Sequence, residues 1–246
     1  MSGRELELRL DSPLLVRWEF ASEERLATRN AIYRQLIEGV NAEDLVVEAV
    51  VEARPATVLD AGCGAGEIGE RIRDELGARV VALDSSERMV ALARERGLEA
   101  TVGDIQELPF PDASFDCVVA AWVLYHVPNR SQALAECARV LRPGGRFVAG
   151  TLADDNLADL WQLLGAPTTR RLTFSSANGA EQVAERFADV EAREAHGVVV
   201  FPDAAAMRRF AAADITRSFA AANVPELQEP FRARSHHTVF VGRKPL

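Results

Sequence analysis

Residues 58–69 read VLDAGCGAGEIG, a short apolar run that breaks into closely spaced glycines and then into a helix-forming sequence. Glycines at such a place let the backbone turn sharply and let a ligand approach with no Cβ in the way. Two ligand classes use a strand, glycine loop and helix in this order. A dinucleotide requires G-x-G-x-x-G with its pyrophosphate on the helix N-terminus. Here the glycines run Gly62, Gly64, Gly66, and Glu67 occupies the third required position. Asp60 beneath the loop and Glu67 place negative charge where a pyrophosphate lies, and like charges about 4 Å apart repel by about 4 kcal/mol at an effective dielectric near 20. The loop suits a cationic ligand, and a nicotinamide oxidoreductase is disfavoured.

Outward from this loop, residues 55–151 alternate strand-like and helix-like segments. Residues 56–62 (ATVLDAG), 78–85 (ARVVALDS), 98–104 (LEATVGD), 115–122 (FDCVVAAW) and 145–151 (GRFVAGT) are short, Val-rich and apolar on both faces. Strands of this kind are buried between helical layers of a parallel sheet. Ser85 and Ser86 precede a helix that Gly97 stops, and Ser131 precedes another that ends at Pro143-Gly144-Gly145. Before Pro55, residues 23–38 and 42–53 read as two amphipathic helices. After Thr151 the pattern gives helices at 155–164, 180–187 and 203–215 and strands at 189–201 and 237–243.

The chain has 246 residues, 48% hydrophobic and 26% charged, and 37 acidic against 28 basic side chains give a formal net charge of −9. Those figures fit an ordinary soluble globular protein, long enough for one large α/β domain with an elaboration or for two small domains, and argue against a constitutive nucleic-acid binder. Residues 1–10 show no apolar h-region, and no run of about 18 apolar residues suggests a membrane span. Cys63, Cys117 and Cys137 are odd in number, with no CxxC pair, which fits a reduced cytoplasmic protein.

The D-x-G-x-G-x-G of residues 60–66 resembles motif I of the class I S-adenosylmethionine-dependent methyltransferases. Asp84 ends the second strand 24 residues after Asp60, and Gly103-Asp104-Ile105 ends the third. LPFPDASFDCVVAAWVLYHV (108–127) and LRPGGRFV (141–148) are similar to the ubiquinone/menaquinone-biosynthesis-like, type 11 branch. The resemblance covers about residues 55–151. It implies a Rossmann-like α/β fold: a seven-stranded, mostly parallel sheet with helices on both faces and an antiparallel last strand. A helical cap or lid would occupy 1–54, and the main domain 55–246, with a helical insertion at about 203–230.

The same resemblance implies S-adenosylmethionine as cofactor, leaving as S-adenosylhomocysteine, and assigns residues to it. Gly62, Gly64 and Gly66 would wrap the methionine part, with Asp60 helping to hold its ammonium directly or through water. Asp84 would accept both ribose hydroxyls, beside Ser85; Asp104 would take the adenine amino group and the Ile105 N–H a ring nitrogen. Met89 and Ala121 would complete the contacts. His126, just after the fourth strand, is a candidate general base, against the alternative that it anchors its loop. Trp18, Tyr33, Trp122 and Tyr125 are candidates to wall the substrate pocket, against plain packing. His196, His236 and His237 read as solvent-facing or loop histidines and not as metal ligands. The implied reaction is methylation of a small molecule, O- or C-methylation favoured; the Asn/Asp-Pro-Pro-Tyr/Phe turn common in enzymes that amino-methylate nucleic acid or protein glutamine is replaced by Ala121-Trp122-Val123-Leu124, which with the acidic balance argues against nucleic acid. The alternative is a non-catalytic cofactor-binding regulatory or assembly protein, and the sequence leaves the oligomeric state open.

Overall fold

The computed structural model describes residues 10–20 and 22–246. The reading of residues 1–10 lies, apart from Leu10, outside them. Two helices, α1 (Pro13–Glu19) and α2 (Glu24–Leu36), precede a short strand β1 (Ile37–Gly39) and helix α3 (Ala42–Ala53). Then β2 (Thr57–Ala61), α4 (Glu67–Leu76), β3 (Arg79–Asp84), α5 (Glu87–Glu95) and β4 (Glu99–Val102) follow as strand–helix units. The second half carries β5 (Phe115–Ala121), α6 (Arg130–Val140), β6 (Leu141–Leu152), α7 (Ala158–Leu163), α8 (Gly179–Ala184), β7 (Ala188–Phe201), α9 (Ala204–Ala213) and β8 (Phe231–Arg243).

The sheet has eight strands in the order β1-β7-β8-β6-β5-β2-β3-β4. The strands β4, β3, β2, β5 and β6 run parallel, and β8 lies antiparallel between β6 and β7. The alternation of side chains divides the core into two layers, as a period of two requires. Leu59, Leu83, Val118 and Phe147 face one side with α6 and α8 residues such as Leu134 and Val183. Val58, Val80, Val119 and Val148 face the other with Val46 and Val50 of α3, Ile72 of α4 and Ala93 of α5. Helix α3 thus packs directly on the sheet. A third cluster, built from Ile32, Trp161, Phe201 and Phe210, joins α2, α7 and α9 over β7.

Four expectations are corrected. The eighth strand arises because α2 ends at Leu36, where Ile37 turns extended, two residues before the expected stop at Glu38. Ile37, Glu38 and Gly39 then pair antiparallel with Val199, Val198 and Gly197, covering the edge of β7. Among the residues of α2 only Ile32 is fully buried, so the helix is less one-sided than its pattern suggested. The cap of α6 is Asn129, whose side chain accepts the Gln132 N–H, and not Ser131. Finally, β8 begins at Phe231, six residues before the expected His237, because β7 offers it a partner along its whole length. No described helix is long and apolar enough to cross a membrane.

Candidate active site

The glycine loop is laid across the carboxyl end of β3. Gly62 and Cys63 donate their N–H groups to Leu83 O at 2.7 and 3.0 Å. Gly62 has φ +79°, and a Cβ there would run into the Val123 side chain. Asp84 accepts the Gly64 N–H on Oδ2 and the Ser86 N–H on Oδ1, both at 2.9 Å. Burial raises the Asp84 carboxyl above its ordinary range, although those amides oppose the rise. Asp60 is buried below the loop, and its Oδ2 has no hydrogen-bond partner among the described residues. Burial, reinforced by the nearby Asp84 charge, pushes Asp60 up to about 7 against the influence of the Gly69 amide.

A cavity of about 970 Å³ opens at the carboxyl ends of the parallel strands, the usual ligand position in open α/β sheets. Gly62, Gly64, Asp84, Ser85, Asp104, Ile105 and Ala121 line its glycine-loop end. Tyr33, Trp122, Tyr125 and His126 line the rest. Four expected residues do not reach the lining. Asp60 stands behind the loop; Met89 is fully buried on α5. Gly66 caps α4 at φ +84°, where a Cβ would meet Ala93 and Leu98 at 2.9 Å, so its role is close helix packing. Trp18 is 56% exposed and carries Arg25 on its ring at 3.8 Å instead of walling the pocket.

His126 donates from Nδ1 to Leu10 O at 3.0 Å, because a carbonyl can only accept. Its Nε2 is therefore the basic nitrogen, and burial drives the ring down to about 4. His237 proves to be buried in the cavity wall, not solvent-facing as its tail position suggested. The Trp122 indole donates to His237 Nδ1 at 3.0 Å, which places the ring proton on Nε2, a buried donor with no partner among the described residues. Burial holds this imidazole neutral, down to about 4. Its neighbour His236 takes Glu194 at 2.7 Å, and Glu194, His196 and His236 bring ligand atoms within 4.8 Å of one another, a carboxylate neighbourhood the sequence did not reveal.

Glu67 is less exposed as a charge than the sequence argument assumed. Arg34 of α2 pairs with it at 2.8 Å, Asn30 donates to it at 3.0 Å and Arg96 stands at 3.4 Å. Burial opposes ionisation, but the Arg34 pair prevails and keeps Glu67 below the ordinary carboxylate range. The acidity under the loop thus belongs to Asp60 and Asp84. Further bonds tie the first helices to this region: Ser86 Oγ donates to Phe20 O at 2.7 Å, and Arg88 pairs with Glu23 at 2.6 Å. Arg29 of α2 reaches Glu19 and Ala213 O, so the same helix also touches the end of α9.

A buried carboxylate oxygen without a partner, a second carboxylate at a strand end and a loop closed to any Cβ fit a cationic nucleoside. Residues 59–149 match the family model described as a methyltransferase domain. Over that segment the chain is similar to methyltransferase domains. The chain is 37% identical over 161 residues to a malonyl-[acyl-carrier protein] O-methyltransferase of Pectobacterium atrosepticum, covering 62% of this chain and 61% of that one. It is 42% identical over 101 residues to the 27-O-demethylrifamycin SV methyltransferase of Amycolatopsis mediterranei, covering 38% and 37%. The chain therefore spans only part of the length of these curated relatives. The fold is shared with the N-methyltransferase NodS of Bradyrhizobium japonicum, solved with S-adenosyl-L-homocysteine, at TM-score 0.60 and 16% identity over 97% of this chain and 100% of that one.

Sequence reasoning missed His237, Arg29, Arg170, Arg217 and Asn156 as lining residues. No local pattern marks them, since they meet only when β7, β8 and α9 fold back beside β6.

Proposed function

We propose that the protein transfers a methyl group from S-adenosylmethionine to a small molecule, O- or C-methylation favoured. The observation that supports this most is Asp84: a half-buried carboxylate at the end of β3, fixed by two backbone amides and facing the cavity. When bound, S-adenosylmethionine supplies an electrophilic methyl on a positively charged sulfur. Asp84 is suited to the ribose hydroxyls as a charge-assisted acceptor, with Ser85 beside it. Asp104 and the Ile105 N–H are suited to the adenine, and Gly62, Gly64 and Ala121 to the methionine part. Asp60 supplies a balancing negative charge from beneath the loop and does not touch the ligand directly. Gly66 and Met89 act through packing.

Helices α1 and α2 form a cap that excludes water and aligns the reactants, an effect worth up to about 7–11 kcal/mol in favourable cases. Because α3 packs on the sheet, the cap ends near residue 36 and not at 54. His126 Nε2 is available to take a proton from the acceptor, while Tyr33, Trp122 and Tyr125 shape its pocket. The acceptor is a small molecule and not a nucleic acid, in keeping with the acidic balance. Three free cysteines support a cytoplasmic setting.

Calorimetric titration with S-adenosylhomocysteine, followed by transfer of labelled methyl to a metabolite panel, tests the reading. Binding with transfer is expected. Binding without transfer to any acceptor moves the protein to a regulatory or assembly role, and tighter binding of a nicotinamide dinucleotide discards the methyl-transfer reading.

A further inference from the structure

The cavity is electrically two-ended. Asp84 and Asp104 line one end, with Asp60 behind them. At the other, Arg29, Arg170 and Arg217 gather around α9 and its following turn. Arg29 pairs with Glu19, which also has Arg25 at 3.7 Å, and Arg170 pairs with Asp214. Asp214 is further committed to the Thr216 and Arg217 backbone N–H groups, at 3.0 and 2.9 Å. Asp154, also in the lining, accepts the Leu172 N–H at 3.0 Å. Three carboxylates, Glu19, Asp154 and Asp214, thus stand among four guanidinium groups, those of Arg25, Arg29, Arg170 and Arg217.

Arg217 is the one left over. It is 4% exposed, its Nη2 has no hydrogen-bond partner, and no carboxylate lies within ion-pair distance among the described residues. Its guanidinium rests on the Trp161 ring at 4.7 Å. Burial and the neighbouring Arg170 charge pull it down to about 9, against the opposing influence of the Asp214 charge, which Arg170 already engages in an ion pair. A buried, unpaired charge is strongly unfavourable, and a partner of opposite sign relieves it. Between Arg217 and the strand ends runs a series of ring contacts. Trp161 meets Phe210 at 6.2 Å, Phe210 meets Tyr33 at 5.9 Å, and Tyr33 meets His237 at 5.2 Å. His237 adds its own unpartnered Nε2 donor to this wall.

We infer that the methyl acceptor carries a carboxylate that anchors on Arg217, with an apolar or aromatic body lying along Tyr33 and Phe210 and a further oxygen facing His237 Nε2. The inference rests on the methyl-transfer reading for the cavity's purpose but not for its chemistry. One unbalanced cation calls for one negative charge, which favours a carboxylate over a phosphate. The carboxylate is an anchor and not the methylated atom, since a guanidinium contact withdraws the electron density a nucleophile needs.

The test titrates the full chain, saturated with S-adenosylhomocysteine, with 4-hydroxybenzoate, 4-hydroxybenzamide and inorganic phosphate. The carboxylate is expected to bind about tenfold or more tightly than the amide, the ordinary effect of one charge-assisted hydrogen-bonded pair. Arg217→Met should erase that preference and Arg217→Lys should retain part of it. Equal affinities, no binding of the carboxylate at about 10 mM, tighter phosphate binding, or a preference that survives Arg217→Met would each overturn the proposal. If Arg217→Met does not fold, phenylglyoxal labelling of the native chain gives the answer: 4-hydroxybenzoate, and not the amide, should slow modification of the Arg217 peptide. The S-adenosylhomocysteine titration reads separately. Normal cofactor binding without carboxylate preference sinks the anchor alone, and absent cofactor binding sinks the methyl-transfer reading alone.

Discussion

Gly64 donates its backbone N–H to Oδ2 of Asp84 at 2.9 Å, so the glycine loop and the acidic end of β3 hold each other in place. Removing that carboxylate takes away a ligand acceptor and the loop's own support. Asp84→Ala is expected to weaken S-adenosylhomocysteine binding by about one to two orders of magnitude, the range for hydrogen bonds to a charged group. Asp84→Asn should fall between. Unchanged affinity in a calorimetric titration would discredit the ribose assignment.

Gly62→Ala combines φ +79° with a collision against Val123. Left-handed strain in a non-glycine residue costs about 1–3 kcal/mol before the clash is counted. The variant should lose cofactor binding and unfold at lower temperature. Gly77→Ala is the control, because its φ of +65° carries the strain while nothing lies within 4 Å of the added Cβ. It should lose some stability and no affinity, and equal binding losses in both variants would reject the steric account.

Burial and the Asp84 charge push Asp60 up to about 7 in the folded protein, against an ordinary aspartate value of 3.8. The native state therefore holds a proton that the unfolded chain releases between about pH 4 and 7, and stability falls as pH rises through that window. Asp60→Asn should accordingly stabilise the protein at pH 8 and have little effect below pH 4, as melting curves will report. A cationic ligand prefers the ionised form, so wild-type affinity should tighten from pH 6 to 8. An Asp60→Asn profile as steep as the wild type would remove Asp60 from the electrostatics of binding.

His126 sits near 4, not near the ordinary histidine value of 6.5. A base held neutral this far down stays unprotonated across physiological pH. The acid limb of kcat/KM should fall nearer pH 4 than pH 6.5, and His126→Gln should lower kcat more than it changes KM. A limb that persists in the variant would return His126 to a loop anchor.

Arg34 bridges Glu43 at 2.9 Å and Glu67 at 2.8 Å, binding α2 to the glycine-loop helix. Arg34→Met should loosen the cap, seen as faster tryptic cleavage within residues 22–36 and faster release of S-adenosylhomocysteine. Exposed ion pairs alone contribute about 1 kcal/mol or less, so global stability should change little. A large fall in melting temperature with unchanged release would argue that the pair serves folding.

The glycine-loop end of the cavity was legible because its determinants are local. Asp60, Gly62, Gly64 and Asp84 sit at strand ends whose positions follow from short Val-rich runs, and a parallel sheet brings successive carboxyl ends together. Trp18, Met89 and Gly66 misled for a related reason: residue type and position in the chain say nothing about which side of a helix or loop faces the cavity. The eighth strand was hidden because Ile37-Glu38-Gly39 has no strand character of its own and is extended by pairing with β7. His237, Arg170 and Arg217 were invisible because three separate connections juxtapose them. Glu67 shows the limit of counting charges, since Arg34 comes from a different helix.

Tyr33 and Arg34 are consecutive residues of α2, one turned toward the aromatic wall and Asn156, the other toward Glu67 at the glycine loop. A single helix thus touches both ends of the cavity. On the methyl-transfer proposal, a displacement of α2 disturbs the cofactor end and the acceptor end of the cavity at once. A substitution on either face of α2, at Tyr33 or at Arg34, is then expected to alter binding at both ends of the cavity, whichever acceptor is loaded.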